Sequence, residues 1–259
     1  MLACFVASLF ALASCGRKGQ EGPRLVRQLK IGSDLYAPYF YVDDEGAFAG
    51  IDVEIATEAC RRMGMQALFR KIVWQNKDTY LRDKTVDCLW GSFSMNGRED
   101  EYDWAGPYLT SRQVVVVEEK SDIHQLKDLD GRVIAVQNAS KPEALFLSDA
   151  IDGVSVKKVY SFSTIANVFA ALKKGYVDAG AGHETACRDY LKHISGAYRI
   201  LDEPLLVADL GVAFPKGSDS SIIQELSAVL RQMKEDGTLR AILEKYDLDV
   251  DFALGKETP

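Results

Sequence analysis

The stretch WGSFSMNGRED places Ser92, Ser94, Asn96 and Arg98 within a few positions of one another, directly after the apolar pair Leu89 and Trp90. A guanidinium presents a planar fork of donors that matches a carboxylate bidentately, and charge-assisted bonds of this kind are roughly twice as strong as neutral ones. The chemistry on offer is the holding of a small anion. Against it stands a surface arginine paired with Glu99 or Asp100.

Three further stretches carry functional residue types. In SDLYAPY, Asp34 precedes Tyr36, and Trp74 lies farther on. An aromatic face buries apolar stem atoms and attracts a cation, although such rings taken singly are more often core. In VQNASKPE, a helix beginning after Ser140 aims free amides at an anion. Lys141 either adds charge there or is solvated at a rim. In AGHETACRDY, His183 and Glu184 stand side by side. They can be imagined as an acid/base pair, but adjacent side chains at a helix start do not face each other and no third group orients the imidazole. The alternative is that His183 caps the following helix and Glu184 suits its positive end.

These residues need a frame. LKIGS, ALFRKIVW, TVDCLWG, GRVIAVQ and YVDAGAG read as strands, the third so apolar that both its faces should be covered. GIDVEIATEACRRMG reads as a helix with Ile51, Ile55, Ala59 and Met63 recurring every four residues, Asp52 able to cap its start and Gly64 its end. STIANVFAALKKG is a second helix with Ile165, Val168, Phe169 and Leu172 on one stripe, and the C-terminal region gives two helices separated near Gly237. The order implies α/β sheets of mainly parallel strands. LRDKTVDCLWGS and LKKGYVDAGAGH share a form, which suggests two similar units, each delivering polar groups at a strand's C-terminal end. Ligands of open α/β folds bind at such ends, and two facing units form a cleft.

Composition excludes more than it selects. With 259 residues the chain can bury a large core, and 38 acidic against 31 basic residues leaves −7, so no nucleic-acid partner is expected. MLACFVASLFALASCG is an uncharged apolar run too short to span a bilayer, placed as a signal peptide over residues 1–14. It ends in Leu12-Ala13-Ser14-Cys15, which resembles a bacterial lipobox with Cys15 as the lipidated residue, followed by a polar tether over 15–27. The other reading is an ordinary signal peptide with an incidental cysteine. Either places the protein in the cell envelope. Cys60, Cys88 and Cys187 show no metal-like spacing and read as buried thiols. Neither a metal nor a cofactor is expected, since GxSxG, HExxH and Walker patterns are lacking.

From about Leu29 to Asp247 the chain resembles the extracellular solute-binding proteins of family 3, the polar amino-acid receptors of ABC importers. The resemblance is carried in order by IGSDLYAPYFYVDDEGAFAGIDVEIA, VDCLWGSFSMNGREDEYDWAGPY, LKDLDGRVIAVQNASKPE, LKKGYVDAGAGHE, LGVAFPKGS and MKEDGTLRAILEKY. It implies the two-lobed periplasmic-binding-protein type II fold, lobe one comprising 28–111 and 207–259 and lobe two 112–206, with crossing strands near Leu109–Val114 and Glu203–Leu210. It also implies that Arg98 pairs with a ligand carboxylate, with Gly91, Ser92 and Ser94 beside it, Tyr36 and Trp74 against the ligand, and Ser140 on lobe two. Three positions depart from the pattern: Ala139 stands where the family has Gly, Lys141 where it has Thr, and His183 where it has the acid that binds the α-ammonium. Either Glu184 takes over that role or the ammonium leans on Asp34 and a ring face. The expected protein is a lipid-anchored monomer that captures an amino acid and delivers it to a membrane permease. The alternative is an enzyme of the same architecture, such as a dehydratase acting on a small carboxylic acid.

Overall fold

The computed structural model describes residues 27–256, so the apolar leader, Cys15 and the tether up to residue 26 lie outside the described residues. The chain first lays down β1 (Arg27–Ser33), a short hairpin of β2 (Tyr41–Val42) and β3 (Phe48–Ala49), α1 (Ile51–Arg62), β4 (Met65–Lys71), α2 (Lys77–Arg82) and β5 (Cys88–Leu89). The long strand β6 (Tyr102–Glu118) carries it into a second unit of β7 (Val133–Gln137), α3 (Lys141–Leu147), β8 (Lys158–Phe162), α4 (Ile165–Lys173), β9 (Ala179–His183), α5 (Glu184–Leu191) and β10 (Tyr198–Ile200). It returns on β11 (Leu206–Pro215), after which α6 (Ser220–Glu235), α7 (Thr238–Leu243) and α8 (Val250–Ala253) follow, α6 and α7 packing on α1.

One sheet runs β4-β1-β5-β11-β6-β9-β7-β8, with β10 also paired to β6. Within each unit the core pairing is parallel, β1 with β4 and β5, β7 with β8 and β9, while the β2–β3 hairpin and the pairing of β9 and β10 with β6 are antiparallel. At the centre it is antiparallel, because the chain leaves on β6 and comes back on β11, paired from Leu206 opposite Gln113 to Pro215 opposite Tyr102. The expectation of mainly parallel strands therefore holds inside the lobes and fails between them. This is the two-lobed α/β architecture, with two crossing strands and a cleft at the C-terminal ends of both parallel sets.

Local sequence explains most elements. On α1, Ile51, Ile55 and Ala59 are fully buried, and Gly64 closes the end with φ 65°, its N–H donating to Arg61 O. Asp52 does not cap that helix. Gly50 occupies the cap, while the Asp52 carboxylate is buried and accepts from Ser92 N at 2.6 Å and from the Tyr108 hydroxyl at 2.8 Å. Its position one residue inside the helix turns it toward the core rather than back to the first amides. On α4 the stripe Ile165, Val168, Phe169 and Leu172 is buried, and Thr164 caps the start by accepting from Asn167 N. Gly237, at φ 83°, breaks α6 from α7.

The shared form of the two units has a physical content. Asp87 N donates to Lys30 O while its carboxylate accepts from Lys30 N at 2.8 Å. Asp178 does the same to Val133, with its carboxylate 2.7 Å from Val133 N. In each lobe the Val-Asp pair thus fastens one strand to its parallel neighbour and aligns the ends that face the cleft.

Candidate functional site

Residues that follow β1, β4, β5 and β7 meet residues on β6, on the end of β7 and on the end of β9 in a narrow cavity between the lobes, lined by Asp34, Tyr36, Trp74, Gly91, Ser92, Phe93, Ser94, Arg98, Gln113, Gln137, Ala139, Ser140, Lys141, Pro142, Ala181, Gly182 and His183. Every residue singled out from the sequence for the site is in this set except Glu184 and Asn96, the latter bonded to Asp209 N on β11. The space is small, about 40 Å³, because the lobes already touch. Gln137 Nε2 donates to the Asp34 carboxylate at 2.5 Å, and Tyr36 Oη accepts from His183 N at 3.1 Å. That second contact needs the small residues of β9: a Cβ on Gly182 would sit 2.8 Å from Tyr36 Oη.

The loop after β5 is held from three sides. Asp52 fixes Ser92 N from below, Asn96 Oδ1 accepts from Asp209 N on β11, and Gly91 lies against β1, where an added Cβ would come 2.9 Å from Ser33 Cβ. Ser92 adopts φ 45° and Ala139, across the cleft, φ 56°. Both are left-handed conformations that a side chain disfavours by about 1 kcal/mol or more, so the backbone of both loops is shaped by its surroundings rather than by propensity. Gly is the residue without that penalty at 139, which gives the Ala139 departure a physical meaning.

Arg98 is half-buried, its guanidinium 5.2 Å from the centre of the Phe93 ring, and it donates to Ser94 O and Ala139 O at 3.2 and 3.4 Å. Among the described residues it pairs with no carboxylate. Glu99 turns its carboxylate to Gly97 N instead, and burial pulls the Arg98 pKa below its ordinary value. The surface ion pair weighed against the anion-binding reading is not formed. Trp74 is buried, edge-on to Phe93 at 4.9 Å, with Lys77 Nζ 5.6 Å from its ring.

On lobe two, Ser140 caps α3 by accepting from Glu143 N, and Glu143 accepts in turn from Ala139 N. With Pro142 lacking an N–H, the free amides expected at this helix start are reduced to that of Lys141. The Lys141 ammonium lies across the cleft, 2.9 Å from where a Cβ on Gly97 would be. His183 holds the N-cap position of α5 without bonding the helix. Its ring meets the Ser111 hydroxyl at 2.9 Å and Gln113 Nε2 at 2.8 Å. Burial lowers its pKa to about 4, so the ring is neutral at pH 7. Asp34 shifts the other way, pushed by burial up to about 6 against the Gln137 bond.

Glu184 points away from this cavity, bonding Arg112 at 3.1 Å and Arg188 at 2.7 Å. It lines a larger cavity of about 300 Å³ with Tyr39, Thr110, Asp247 and Phe252. That space is roomier, yet it gathers no residue from the loops after β5 and β7. Because His183 and Glu184 diverge, the imagined acid/base pair does not exist in this geometry. Among the described residues no cluster of three His, Cys, Asp or Glu suits a metal ion, and Cys60, Cys88 and Cys187 are free and buried.

Phe93, Gln113 and Gln137 belong to the lining but are not singled out by sequence. The signal for the glutamines is a polar residue beside an apolar strand run, in SRQVVVV and GRVIAVQ. Gln113 is 1% exposed and its Oε1 has no partner among the described residues. A buried orphan of this kind is unusual and marks a place where a donor belongs.

Residues 29–249 match the family described as bacterial extracellular solute-binding proteins, family 3. The chain belongs to that family. It is similar to the L-cystine-binding protein TcyA of Bacillus subtilis strain 168, 29% identical over 264 residues that span 95% of this chain and 96% of that protein. The histidine-binding periplasmic protein of Escherichia coli strain K12 is 25% identical across 86% of this chain and 89% of its own. Among solved structures, an ancestral arginine-binding protein bound to arginine matches with TM-score 0.78 and 26% identity, covering 87% of this chain and all of that one. Family membership accounts for the type II two-lobed fold and for the cleft at the strand ends.

Proposed function

We propose that this chain is the ligand-capturing component of an ABC-type importer, closing its lobes on an amino acid and presenting the closed form to a membrane permease. The observation that carries the reading is Arg98: a half-buried guanidinium at the convergence of both lobes, with no carboxylate partner among the described residues. Its fork suits an α-carboxylate, with Ser92, Ser94 and Ser140 alongside and Tyr36, Phe93 and Trp74 as walls. An α-ammonium would meet the Asp34 carboxylate and Gln113 Oε1, since His183 is neutral and Glu184 is engaged elsewhere. Relatives named for cystine and histidine support an amino acid as cargo.

Calorimetry on Arg98→Ala and Arg98→Lys tests this. A desolvated carboxylate without its fork loses roughly 2 to 5 kcal/mol, and the lysine rescues only part because an ammonium cannot make two parallel bonds. Wild-type affinity in a folded Arg98→Ala would overturn the reading. The bound ligand is recovered unchanged by mass spectrometry if the protein is a receptor, whereas turnover would favour the dehydratase alternative. Anchoring through a lipid on Cys15 is part of the proposal, and Cys15→Ala is expected to abolish labelling by a palmitate analogue.

A further inference from the structure

The cleft holds more positive charge than one carboxylate requires. Of the charged residues lining it, Arg98 and Lys141 are cationic, Asp34 is the one carboxylate, and His183 is neutral. Asp34 is already engaged by Gln137. Lys141 has neither a hydrogen bond nor an ion pair among the described residues, and its pKa is lowered first by burial and then by Arg98. A third cation, Lys77, lies behind the wall, buried, 5.8 Å from the centre of the same Phe93 ring that Arg98 covers, with Asp78 no nearer than 3.8 Å. The anions in reach of Lys141, Glu99 and Glu101, are exposed, and Glu99 is turned to the main chain. Like charges brought together away from water are unfavourable unless an anion joins them.

One bidentate carboxylate satisfies Arg98 and leaves Lys141 unpaired. A second acidic group satisfies both. Cationic side chains meet repulsion from the same pair, and an amide offers no charge to Lys141.

We infer that the ligand is a net-anionic, dicarboxylic amino acid, its first carboxylate on Arg98 and its second on the ammonium of Lys141. The inference rests on the proposed reading of the cleft and names the substrate class within it.

Calorimetry of the full chain with L-glutamate, L-aspartate, L-glutamine, L-asparagine and L-arginine tests it. At least one acid is expected to bind ten times more tightly than its amide and than arginine. Lys141→Met should reduce that acid-over-amide preference to less than threefold, and Lys141→Arg should retain it, with thermal melts confirming the fold. An amide bound as tightly as its acid, no binding of either acid, or a preference that survives Lys141→Met overturns the inference. If Arg98→Ala still destroys binding when the acid preference is absent, only the second acidic group is wrong. If Arg98→Ala binds like wild type, the parent reading falls and the inference with it.

Discussion

Asp52→Asn should make the protein more stable at pH 8 than the wild type and should flatten its pH dependence. Asp52 is 1% exposed, and burial pushes its pKa from 3.8 up to about 7 against the bonds from Ser92 N and Tyr108. The folded state therefore holds a proton that the unfolded state has released. The stability contributed by this group is complete below pH 3.8 and is lost as pH rises through 7. A window of about 3 pH units at about 1.4 kcal/mol each makes the loss on the order of 4 kcal/mol. Asparagine does not titrate and keeps the shape: Oδ1 accepts from Ser92 N and Nδ2 faces the Tyr108 oxygen, so the Tyr108 O–H loses its acceptor, a cost of about 1 to 3 kcal/mol that is the same at every pH and smaller than the titration gain. Urea unfolding of both proteins at pH 4, 5, 6, 7 and 8 gives the difference free of the other carboxylates, which titrate equally in each. That difference should grow in favour of the variant by several kcal/mol from the lowest to the highest pH. Two parallel stability curves would refute the reasoning.

Gly91→Ala should destabilise by about 1 to 3 kcal/mol in denaturant titrations, the range for an overpacked core. The Ser33 hydroxyl can swing aside, but Ser33 Cβ at 2.9 Å cannot, and a stability equal to wild type would show that the loop relaxes freely. Tyr36→Phe removes the acceptor for His183 N, leaving a buried N–H unpaired across the lobes. A loss of about 1 to 3 kcal/mol is expected, together with a larger radius of gyration in X-ray scattering, and unchanged values of both would deny the contact its role.

Much of the frame is legible in the sequence because it depends on local rules. The four-residue recurrence of Ile51, Ile55 and Ala59, the stripe of Ile165, Val168, Phe169 and Leu172 and the Gly237 break each act within a few positions, and each stands in the structure as read. The Val-Asp repeat is legible as a shared form, whereas the fastening of neighbouring strands that it makes in both units joins residues 57 and 45 positions apart and shows only in the fold. The candidate cleft was partly legible too: a guanidinium, two serines and a ring at strand ends are a chemical pattern before they are a geometry. Tertiary structure alone decided which neighbours those side chains have. Asp52 has the sequence position of a helix cap and becomes a buried anchor for Ser92, because the loop after β5 arrives there from 40 residues away. His183 and Glu184 are adjacent in sequence yet serve different cavities, because an extended residue and the first residue of a helix point apart. The central strands are antiparallel because the chain must return along the path by which it left. Arg98 and Lys141 become a pair of facing cations only when two lobes, folded from separate stretches, close on each other. Periodicity and capping report on residues a few positions apart, whereas charge, burial and unpaired donors depend on segments that only the folded chain brings together.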